Sequence, residues 1–348
     1  MGRPFFSLIV LVYKVEPFLR QCLSSIARQT FTDFEAIVVN DGSPDGASAI
    51  CDEYAARDSR FRVVHQANGG IAKARKAGVA LARGIYLGAV DGDDWIEPDM
   101  LERIYAALES KPADMVLFET FFNGPHEVKL GHLEHMKEGF YEGPAFEEHI
   151  LGPYENLRSF RRGAVVSSLC TKVIKAELLA PEIMLLEDDF VFGEDAACVF
   201  LCLAKAQNCH YLSAPLYHYR LRPHSSTHSY DPARMDKTRR LRAHMRERLR
   251  SIRPGRFKLF PEHVYLRLLH LHIFIIYAYS GLARVGKWRE IRRLLCLPES
   301  RAALRAYPIL SLNFPGSLSL LMAKCTLPPF YCLVKPRIDK KDMFLNNE

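Results

Sequence analysis

The sequence predicts an α/β fold with a mostly parallel central sheet flanked by helices, followed by a basic helical C-terminal region. The first 120 residues alternate between short apolar runs and helical patterns. The apolar runs are nearly continuous and rich in β-branched residues, which is typical of parallel strands covered on both faces. From residue 231 onward the pattern is helical and basic, with apolar residues interleaved. The length of 348 residues allows two domains, or one large domain with an appendage.

The predicted elements of the first 120 residues follow one another in strict alternation. Strands are predicted at residues 6–12, 34–39, 61–65, 85–90 and 115–118. Helices are predicted at residues 17–29, 46–57, 70–82 and 98–110. Pro17 and Pro98 suit the first turns of two of these helices, because a first-turn residue needs no N–H partner.

Beyond residue 120 the pattern is mixed. Residues 120–165 have weak periodicity and predict no definite element. A helix is predicted at 194–206, and Tyr217–Arg220 resembles a short strand before the polar loop 221–230. We therefore divide the chain into a first half-domain at 1–120, a second at 121–230, and the basic helical region at 231–348.

Composition and cysteine usage exclude several classes of protein. The chain is 49% hydrophobic and 25% charged, which argues against disorder. Its nine cysteines are odd in number and show no paired CxxC spacing, so a reducing cytosol fits better than a disulfide scaffold. The apolar run at residues 5–12 is too short for a signal peptide and is predicted to be a buried strand. No P-loop, GxSxG or GxGxxG motif is present, which weighs against P-loop kinases, serine hydrolases and dinucleotide enzymes.

The net charge of +7 conceals two regions of opposite sign. Residues 231–348 carry 24 Lys and Arg against 9 Asp and Glu, a net +15, whereas residues 1–230 carry 23 against 31, a net −8. Arginine beside amphipathic apolar surface indicates helices lying on an anionic membrane face. A helical subdomain with a charged exterior remains an equal alternative. No recognition motif supports nucleic-acid binding.

Two apolar stretches in the basic region need separate interpretation. Residues 263–283 are apolar and aromatic but contain Arg267, His270 and His272, which makes a membrane-spanning helix unfavourable. A second apolar stretch runs from 307 to 322. With no span expected from the first stretch, the region is predicted to be peripheral on the inner face of the plasma membrane, with the protein in the cytoplasm.

Polar loops follow three of the predicted strands. Residues 40–46 follow the second strand, Asn68-Gly69-Gly70 follow the third, and Asp91-Gly92-Asp93-Asp94-Trp95 follow the fourth. Ligands of open α/β sheets bind at the carboxyl ends of the strands, so these loops are expected to share one crevice. The crevice would collect carboxylates, cations and a helix N-terminus suited to anions.

The acidic loop after the fourth strand predicts a divalent-cation site. Asp91 and Asp93 are hard oxygen ligands suited to Mg²⁺ or Mn²⁺, and such an ion neutralises a diphosphate leaving group. Gly92 between them allows close backbone approach. Asp94 is predicted to be a structural helix cap. The acidic turn alone, without its neighbours, is compatible with a helix-start turn as well.

Three further sites have two interpretations each from sequence alone. Asp41 can accept the imide N–H of a uracil, or lie in a generic turn. Arg75 can bond a base or phosphate, or lie on a solvated helix face. The pair Glu194-Asp195 can supply the general base that removes a proton from an acceptor hydroxyl, or can complement the dipole at a helix start.

Taken together, these motifs resemble the family 2 glycosyltransferases, which have the Rossmann-like GT-A fold. The resemblance covers about residues 5–230 and is strongest over 5–110. It is carried by five ordered motifs: Leu11-Val12-Tyr13-Lys14, Asn40-Asp41-Gly42-Ser43, Asn68 to Gly78, Asp91 to Trp95, and Glu194-Asp195, with a trailing stretch from His218 to Arg222 and Ser225. It implies an inverting, metal-dependent, hexosyltransferase-type enzyme of bacterial surface-polysaccharide synthesis.

The resemblance also implies roles for single residues. Nucleotide-sugar contacts are implied for Val12, Tyr13, Asp41, Arg75, Asp91, Gly92 and Asp93. Asp91 and Asp93 would bind the Mn²⁺ or Mg²⁺, and Asp195 would be the catalytic base. Acceptor or phosphate contacts are possible for Glu194, Lys172, Arg220 and Arg222.

The expected partners are a nucleoside-diphosphate sugar donor, with UDP-sugar favoured, and a glycan or polyprenol-linked sugar acceptor. The alternative is a non-catalytic nucleotide-sugar-binding or scaffold protein on the same fold. A nucleotidyltransferase is disfavoured, because Tyr13-Lys14-Val15-Glu16 is not a Gly-rich phosphate loop.

Overall fold

The computed structural model describes residues 2–131, 136–155, 168–190, 192–222 and 230–306. The chain divides into two compact units. The first unit contains residues 1–150 and 165–222, and the second contains residues 151–164 and 223–348.

The first unit contains a mixed β-sheet. Its strands are β1 (Phe6–Val12), β2 (Phe34–Asp41), β3 (Phe61–Gln66), β4 (Tyr86–Asp91), β5 (Trp95–Ile96), β6 (Met115–Asn123), β7 (Val128–Gly131), β8 (Gly139–Glu142), β9 (Lys172–Lys175) and β10 (Asn208–Arg220). The order is β3-β2-β1-β4-β9-β6-β10-β5, with β7 beside β6 and β8 beside β10.

The helices of the first unit connect these strands. They are α1 (Glu16–Ala27), α2 (Ala47–Arg57), α3 (Ile71–Leu81), α4 (Met100–Ser110), α5 (Gly143–Phe146), α7 (Ala176–Met184) and α8 (Glu194–Lys205). The short α6 (Gly152–Glu155) belongs to the second unit, as do α9 (Arg234–Ile252), α10 (Phe260–Tyr279), α11 (Arg284–Cys296) and α12 (Pro298–Ala306).

The strand directions change along the sheet. β1 pairs in parallel with β2 and β4, and β2 pairs in parallel with β3, as helical crossovers require. β9 is antiparallel to both β4 and β6, and it joins this parallel part to the parallel pair β6–β10. The α/β fold with a mostly parallel sheet is confirmed, and the antiparallel strands all come from the chain beyond residue 94.

The predicted boundaries in the first 110 residues agree with the structure to within two residues, and three predictions need correction. β6 continues to Asn123, five residues past its predicted end. β10 begins at Asn208, nine residues before its predicted start at Tyr217. The sequence did not indicate this start, because register shifts around Pro215 interrupt the alternation that marks a strand. α4 begins at Met100, so Pro98 lies before the helix rather than in its first turn.

The core of the first unit explains why β1 and β2 are continuous apolar runs. Their side chains are almost all buried, and α1 packs its own apolar side chains, including Leu19, Leu23 and Ile26, into the same cluster. Pro17 lies in the first turn of α1, as predicted. The rigid parallel strands thus hold their carboxyl-end loops at fixed positions.

The second unit has a core of its own, in which α9, α10, α11 and α12 contribute Met235, Tyr265, Leu269, Ile276, Leu294 and Leu304. A buried ion pair links α9 and α10: the Arg242 guanidinium donates to Glu262 Oε2 at 2.9 and 2.6 Å. None of the helices among the described residues is long and apolar enough to cross a membrane. The apolar stretch at 307–322 lies outside the described residues.

Candidate active site

The loop after β1 is fastened to the loop after β2. Lys14, whose φ of 54° is left-handed, donates its backbone N–H to Ser43 Oγ at 2.7 Å. The Glu16 N–H bonds Asp45 at 3.1 Å. Tyr13 is 42% exposed at this edge, whereas the Val12 side chain is buried in the core. Tyr13 is therefore available to a ligand, and Val12 is available only through its backbone.

Asp41, at the end of β2, anchors the loop before α3. Its carboxylate accepts hydrogen bonds from Gln66 Nε2 at 2.7 Å, the Gly69 N–H at 2.8 Å, the Gly70 N–H at 2.9 Å and Asn68 Nδ2 at 3.2 Å. A carboxylate has about four acceptor positions. Asp41 is also buried, and in this structure its carboxylate holds the loop in place; its direct contact with a nucleotide base stays a prediction.

The acidic loop after β4 makes a tight turn. The Asp94 N–H bonds the Asp91 carbonyl at 2.9 Å, and the Gly92 N–H bonds the Leu11 carbonyl at 3.0 Å. A Cβ at position 92 would lie 2.8 Å from the Leu11 carbonyl oxygen, so only glycine fits without a shift of the backbone. The turn brings the carboxylates of Asp91 and Asp93 to the same edge of the sheet as Tyr13.

Asp94 is structural, but it is not the predicted helix cap. Its buried carboxylate accepts the Tyr217 hydroxyl at 2.7 Å and the Arg220 backbone N–H at 2.7 Å. The Asp91 backbone N–H donates to the same Tyr217 hydroxyl at 3.1 Å. Asp94 and Tyr217 therefore fasten the acidic loop to β10. No motif marked Tyr217, and its position in the strand-like run 217–220 was the single available signal.

Arg75 is buried against the carboxylates at the start of α8. Its Nη1 lies 2.6 Å from Asp195 Oδ1 and 3.3 Å from Glu194 Oε1. Burial acts to lower the pKa of Arg75, but the charges of Asp195, Glu194 and Asp91 outweigh it and raise that pKa. Because the Arg75 side chain is 2% exposed, the alternative of a solvated helix face is wrong, whereas its contact with a base or phosphate stays a prediction. It bridges α3 to α8.

Asp195 and Glu194 differ in access. The Asp195 side chain is 26% exposed and the Glu194 side chain 6% exposed. Burial, together with the charge of Asp195, raises the pKa of Glu194 to about 7. The Leu169 N–H donates to Asp195 Oδ2 at 3.4 Å. Of the pair, Asp195 is the carboxylate that an acceptor could reach.

The acidic loop and the start of α8 form one electrostatic site. Burial raises the pKa of Asp91 to about 7, and the charges of Asp93 and Asp195 add to this effect. Asp91 and Asp195 are 104 positions apart in the sequence. The fold has therefore gathered three carboxylates and the buried Arg75 around one point.

Two arginines from the end of β10 contact the acidic loop. Arg220 Nε donates to the Asp93 carbonyl at 2.7 Å, and its guanidinium lies 4.5 Å from the Trp95 ring centroid. Arg222 Nη2 lies 2.5 Å from Asp93 Oδ2. Arg220 is thus used to hold the loop, whereas Arg222 is the cation nearest to the Asp93 carboxylate.

Lys172 does not reach the site surface. It is buried, and its Nζ donates to the Ser168 carbonyl at 2.7 Å and to Thr171 Oγ1 at 2.9 Å. Burial lowers the pKa of Lys172 to about 7, against the opposing effect of Asp195. In this structure Lys172 supports the turn whose Leu169 bonds Asp195, and its acceptor or phosphate contact stays a prediction.

The donor set fits a cation that arrives with a phosphate ligand. Among the described residues, no group of three or more His, Cys, Asp or Glu side chains is placed to hold a metal ion by itself. Mg²⁺ is commonly held by one or two carboxylates together with substrate phosphates. Asp91 and Asp93 supply two carboxylates of this kind, and a cation between them would offset the repulsion by Asp93 that adds to the effect of burial on the pKa of Asp91.

Comparison with known proteins points to one family. Residues 7–179 match the family described as Glycosyl transferase family 2. The chain is 34% identical to the Uncharacterized glycosyltransferase EpsJ of Bacillus subtilis and 32% identical to the Putative glycosyltransferase EpsH of the same organism. Each match covers 66% of this chain, and spans 65% of EpsJ and 64% of EpsH, slightly less than two thirds of either protein.

A solved structure shows the same fold. The crystal structure of S. aureus TarS 1–349 aligns with a TM-score of 0.65 at 18% identity, over 92% of this chain and 87% of the other. TarS 1–349 in complex with UDP-GlcNAc aligns with a TM-score of 0.63 at 19% identity, over the same shares of both chains.

Proposed function

This chain belongs to glycosyl transferase family 2, and we propose that it transfers a sugar from a nucleoside-diphosphate sugar to a hydroxyl of a glycan or lipid-linked acceptor. The observation that carries the proposal is that Asp91, Asp93 and Asp195 lie close enough for their charges to interact. The buried Arg75 holds Asp195 in this cluster, with its Nη1 at 2.6 Å from Asp195 Oδ1. A donor with a diphosphate leaving group needs a cation site, and an acceptor hydroxyl needs a base. The site offers both at the edge of one sheet.

Asp93 and Asp91 would hold the divalent cation, Mn²⁺ or Mg²⁺. When bound, the ion supplies charge neutralisation for the departing diphosphate. Asp93 would have to exchange its 2.5 Å ion pair with Arg222 for the ion. Arg222 is 23% exposed and is then free to contact a donor phosphate. Gly92 keeps the loop close enough to β1 for its backbone to line the donor site.

Asp195 would act as the general base. In the proposed inverting step, the acceptor oxygen forms a bond to the anomeric carbon, the bond from that carbon to the diphosphate oxygen breaks, and the acceptor proton passes to Asp195. Arg75 and the Leu169 N–H fix the orientation of the Asp195 carboxylate. Glu194 is buried behind it and does not compete for the acceptor.

The nucleotide would lie at the carboxyl ends of β1 and β2. Tyr13 is the exposed aromatic side chain at this edge, and the loop anchored by Asp41 forms the neighbouring wall. UDP is the favoured nucleotide, which the complexes of TarS with UDP and with UDP-GlcNAc support through their shared fold.

The acceptor is proposed to be part of a cell-surface polysaccharide. The Minor teichoic acid biosynthesis protein GgaB of Bacillus subtilis, which is 27% identical over 64% of this chain, supports this proposal. The +15 charge of residues 231–348 supports a peripheral position on the anionic inner face of the plasma membrane, where a polyprenol-linked acceptor would be present.

A donor panel tests the proposal. The melting temperature is measured with UDP-, GDP- and dTDP-sugars, each with and without Mn²⁺, and release of the nucleoside diphosphate is measured with the donors that bind. We expect stabilisation by UDP-sugars that requires Mn²⁺, followed by release of UDP. Equal stabilisation without Mn²⁺ would contradict the cation site, and binding without any release would favour the non-catalytic alternative.

A further inference from the structure

The helix α11 exposes large apolar side chains. Val285 is 71% exposed and Trp288 is 39% exposed, and Leu282 just before the helix is 39% exposed. Among the described residues, nine large hydrophobic side chains are exposed, and these three fall within seven consecutive positions. A concentration of this kind indicates a surface that contacts something other than water.

This exposure is not a consequence of the helix's own core packing. Ile291, Leu294 and Leu295 on α11 are buried in the core of the second unit. Val285 and Arg289 are four positions apart, and Arg292 follows three positions later, so the three lie on the opposite face of the helix. Trp288 lies at the edge between the two faces. Among the described residues of the unit, the core cluster includes neither Val285 nor Trp288, so packing in that cluster does not account for their apolar character.

The helix is basic, and Arg289 and Arg292 lie on the same face as Val285. The sequence of α11 carries five Lys or Arg and a single acid, Glu290. Glu290 pairs with Arg293 at 2.7 Å. Arg289 and Arg292 are exposed, and none of the ion pairs found among the described residues includes either of them. Their charge is therefore available to an anionic partner.

We propose that the outer face of α11 docks on an anionic lipid surface. Leu282, Val285 and Trp288 would enter the boundary between headgroups and acyl chains, and Arg289 and Arg292 would meet lipid phosphates. Apolar side chains with a tryptophan at the edge and arginine beside them are the features of helices that lie in a membrane interface. These residues would make the membrane contact that the proposed peripheral position requires, and their role does not depend on sugar transfer.

Vesicle flotation tests this face with matched variants. Binding is measured to vesicles of phosphatidylcholine alone and to vesicles rich in phosphatidylglycerol. The variants are Val285→Glu/Trp288→Glu and Arg289→Glu/Arg292→Glu. The control is Val128→Glu/Leu130→Glu, which makes the same exchange at apolar side chains that are 61% and 53% exposed in the first unit.

We expect wild type and control to float with phosphatidylglycerol vesicles and not with phosphatidylcholine alone. Each α11 variant should lose at least about tenfold in affinity, because one removes the apolar side chains that would enter the bilayer boundary and the other removes the cations that would meet lipid phosphates. Wild-type flotation of the α11 variants, equal loss in the control, or binding without phosphatidylglycerol would overturn the proposal. Self-association that the α11 variants abolish would assign the face to a second copy instead.

Tryptophan fluorescence gives a positive signal from the same face. The chain has two tryptophans, Trp95 and Trp288, so in Trp95→Phe the signal comes from Trp288. We expect its emission to shift to shorter wavelength with phosphatidylglycerol vesicles, and an unchanged spectrum would contradict insertion. Donor stabilisation of the α11 variants should equal that of wild type, so failure of this proposal and failure of the transferase proposal can be distinguished.

Discussion

Arg75 in the first unit and Arg292 in the second carry the same charge in opposite surroundings. Arg75 is 2% exposed and lies 2.6 Å from Asp195, whereas Arg292 is exposed on the outer face of α11. A buried charge with a fixed partner orients a reacting group, and an exposed charge without one attracts a partner from solution. Under the two proposals above, the acidic unit uses its charges for chemistry and the basic unit uses its charges for location.

The largest effect is expected at the carboxylate that Arg75 orients. Asp195→Asn removes the proposed base, and the transfer rate should fall by about 10²–10⁴-fold. The matched control is Asp188→Asn, because Asp188 is 59% exposed and pairs with Lys76 outside the carboxylate cluster. Release of the nucleoside diphosphate from the donor is the measurement. A wild-type rate in Asp195→Asn would refute the assignment of the base.

Removal of the buried arginine should cost stability as well as activity. Arg75→Met leaves Glu194 and Asp195 without their cation, and loss of one partner of a buried pair typically costs about 3–5 kcal/mol in the free energy of unfolding. Arg57→Met is the control, because the Arg57 side chain is 72% exposed and its pair with Glu53 is at the surface. Urea unfolding of both variants measures this difference. Equal unfolding midpoints for the two variants would mean that the buried pair contributes nothing to stability.

Replacement of glycine by alanine should lower the free energy of unfolding at Gly92 in the first unit and raise it at Gly286 in the second. In Gly92→Ala the new Cβ lies 2.8 Å from the Leu11 carbonyl oxygen, so the acidic loop must move at a cost of about 1–3 kcal/mol. In Gly286→Ala the nearest contact is an ordinary 3.5 Å inside α11, and alanine should stabilise the helix by about 0.5–1 kcal/mol. Thermal unfolding measures both, and destabilisation by Gly286→Ala would show that α11 is packed more tightly than described.

The smallest predicted effect is the pH dependence of Mn²⁺ binding. The pKa of Asp91 is raised to about 7, so below that pH the carboxyl is increasingly protonated and must lose its proton to bind the ion. Affinity should therefore rise with pH up to about 7, by at most about tenfold per unit, and level off above it. Calorimetry at several pH values measures this. Asp91→Asn should bind more weakly without the dependence, and an unchanged slope in that variant would assign the titration to another group.

Much of the first unit could be predicted because its signals are local. The strand β1, the helix α1 and the first-turn position of Pro17 follow from short-range periodicity, and all agree with the structure. The chain beyond residue 110 was harder, because Pro215 breaks the strand pattern of β10. The short strand β9 pairs with distant neighbours that no local pattern announces.

The positions of the candidate residues on the fold could be predicted, but their contacts could not. The motifs placed Asp93 just after β4 and Asp195 in the first turn of α8, and the structure has them there. They could not show that Arg75 would be buried against Asp195, 120 positions away, or that Lys172 would be buried and support a turn. Whether a charged side chain is buried and paired depends on its tertiary neighbours. The sequence pattern around an arginine on a predicted helix therefore does not distinguish a buried, paired side chain from a solvated one.

The most direct test of the central claim is calorimetric binding of UDP with Mn²⁺ to Asp93→Ala and Asp195→Asn. Asp93 is proposed to bind the cation and the diphosphate, and Asp195 to accept the proton, although both belong to one cluster. We therefore expect Asp93→Ala to lose Mn²⁺-dependent UDP affinity by at least about tenfold, whereas Asp195→Asn should keep the wild-type affinity and fail in transfer. Equal loss of UDP binding in both variants, or no loss in Asp93→Ala, would contradict the account.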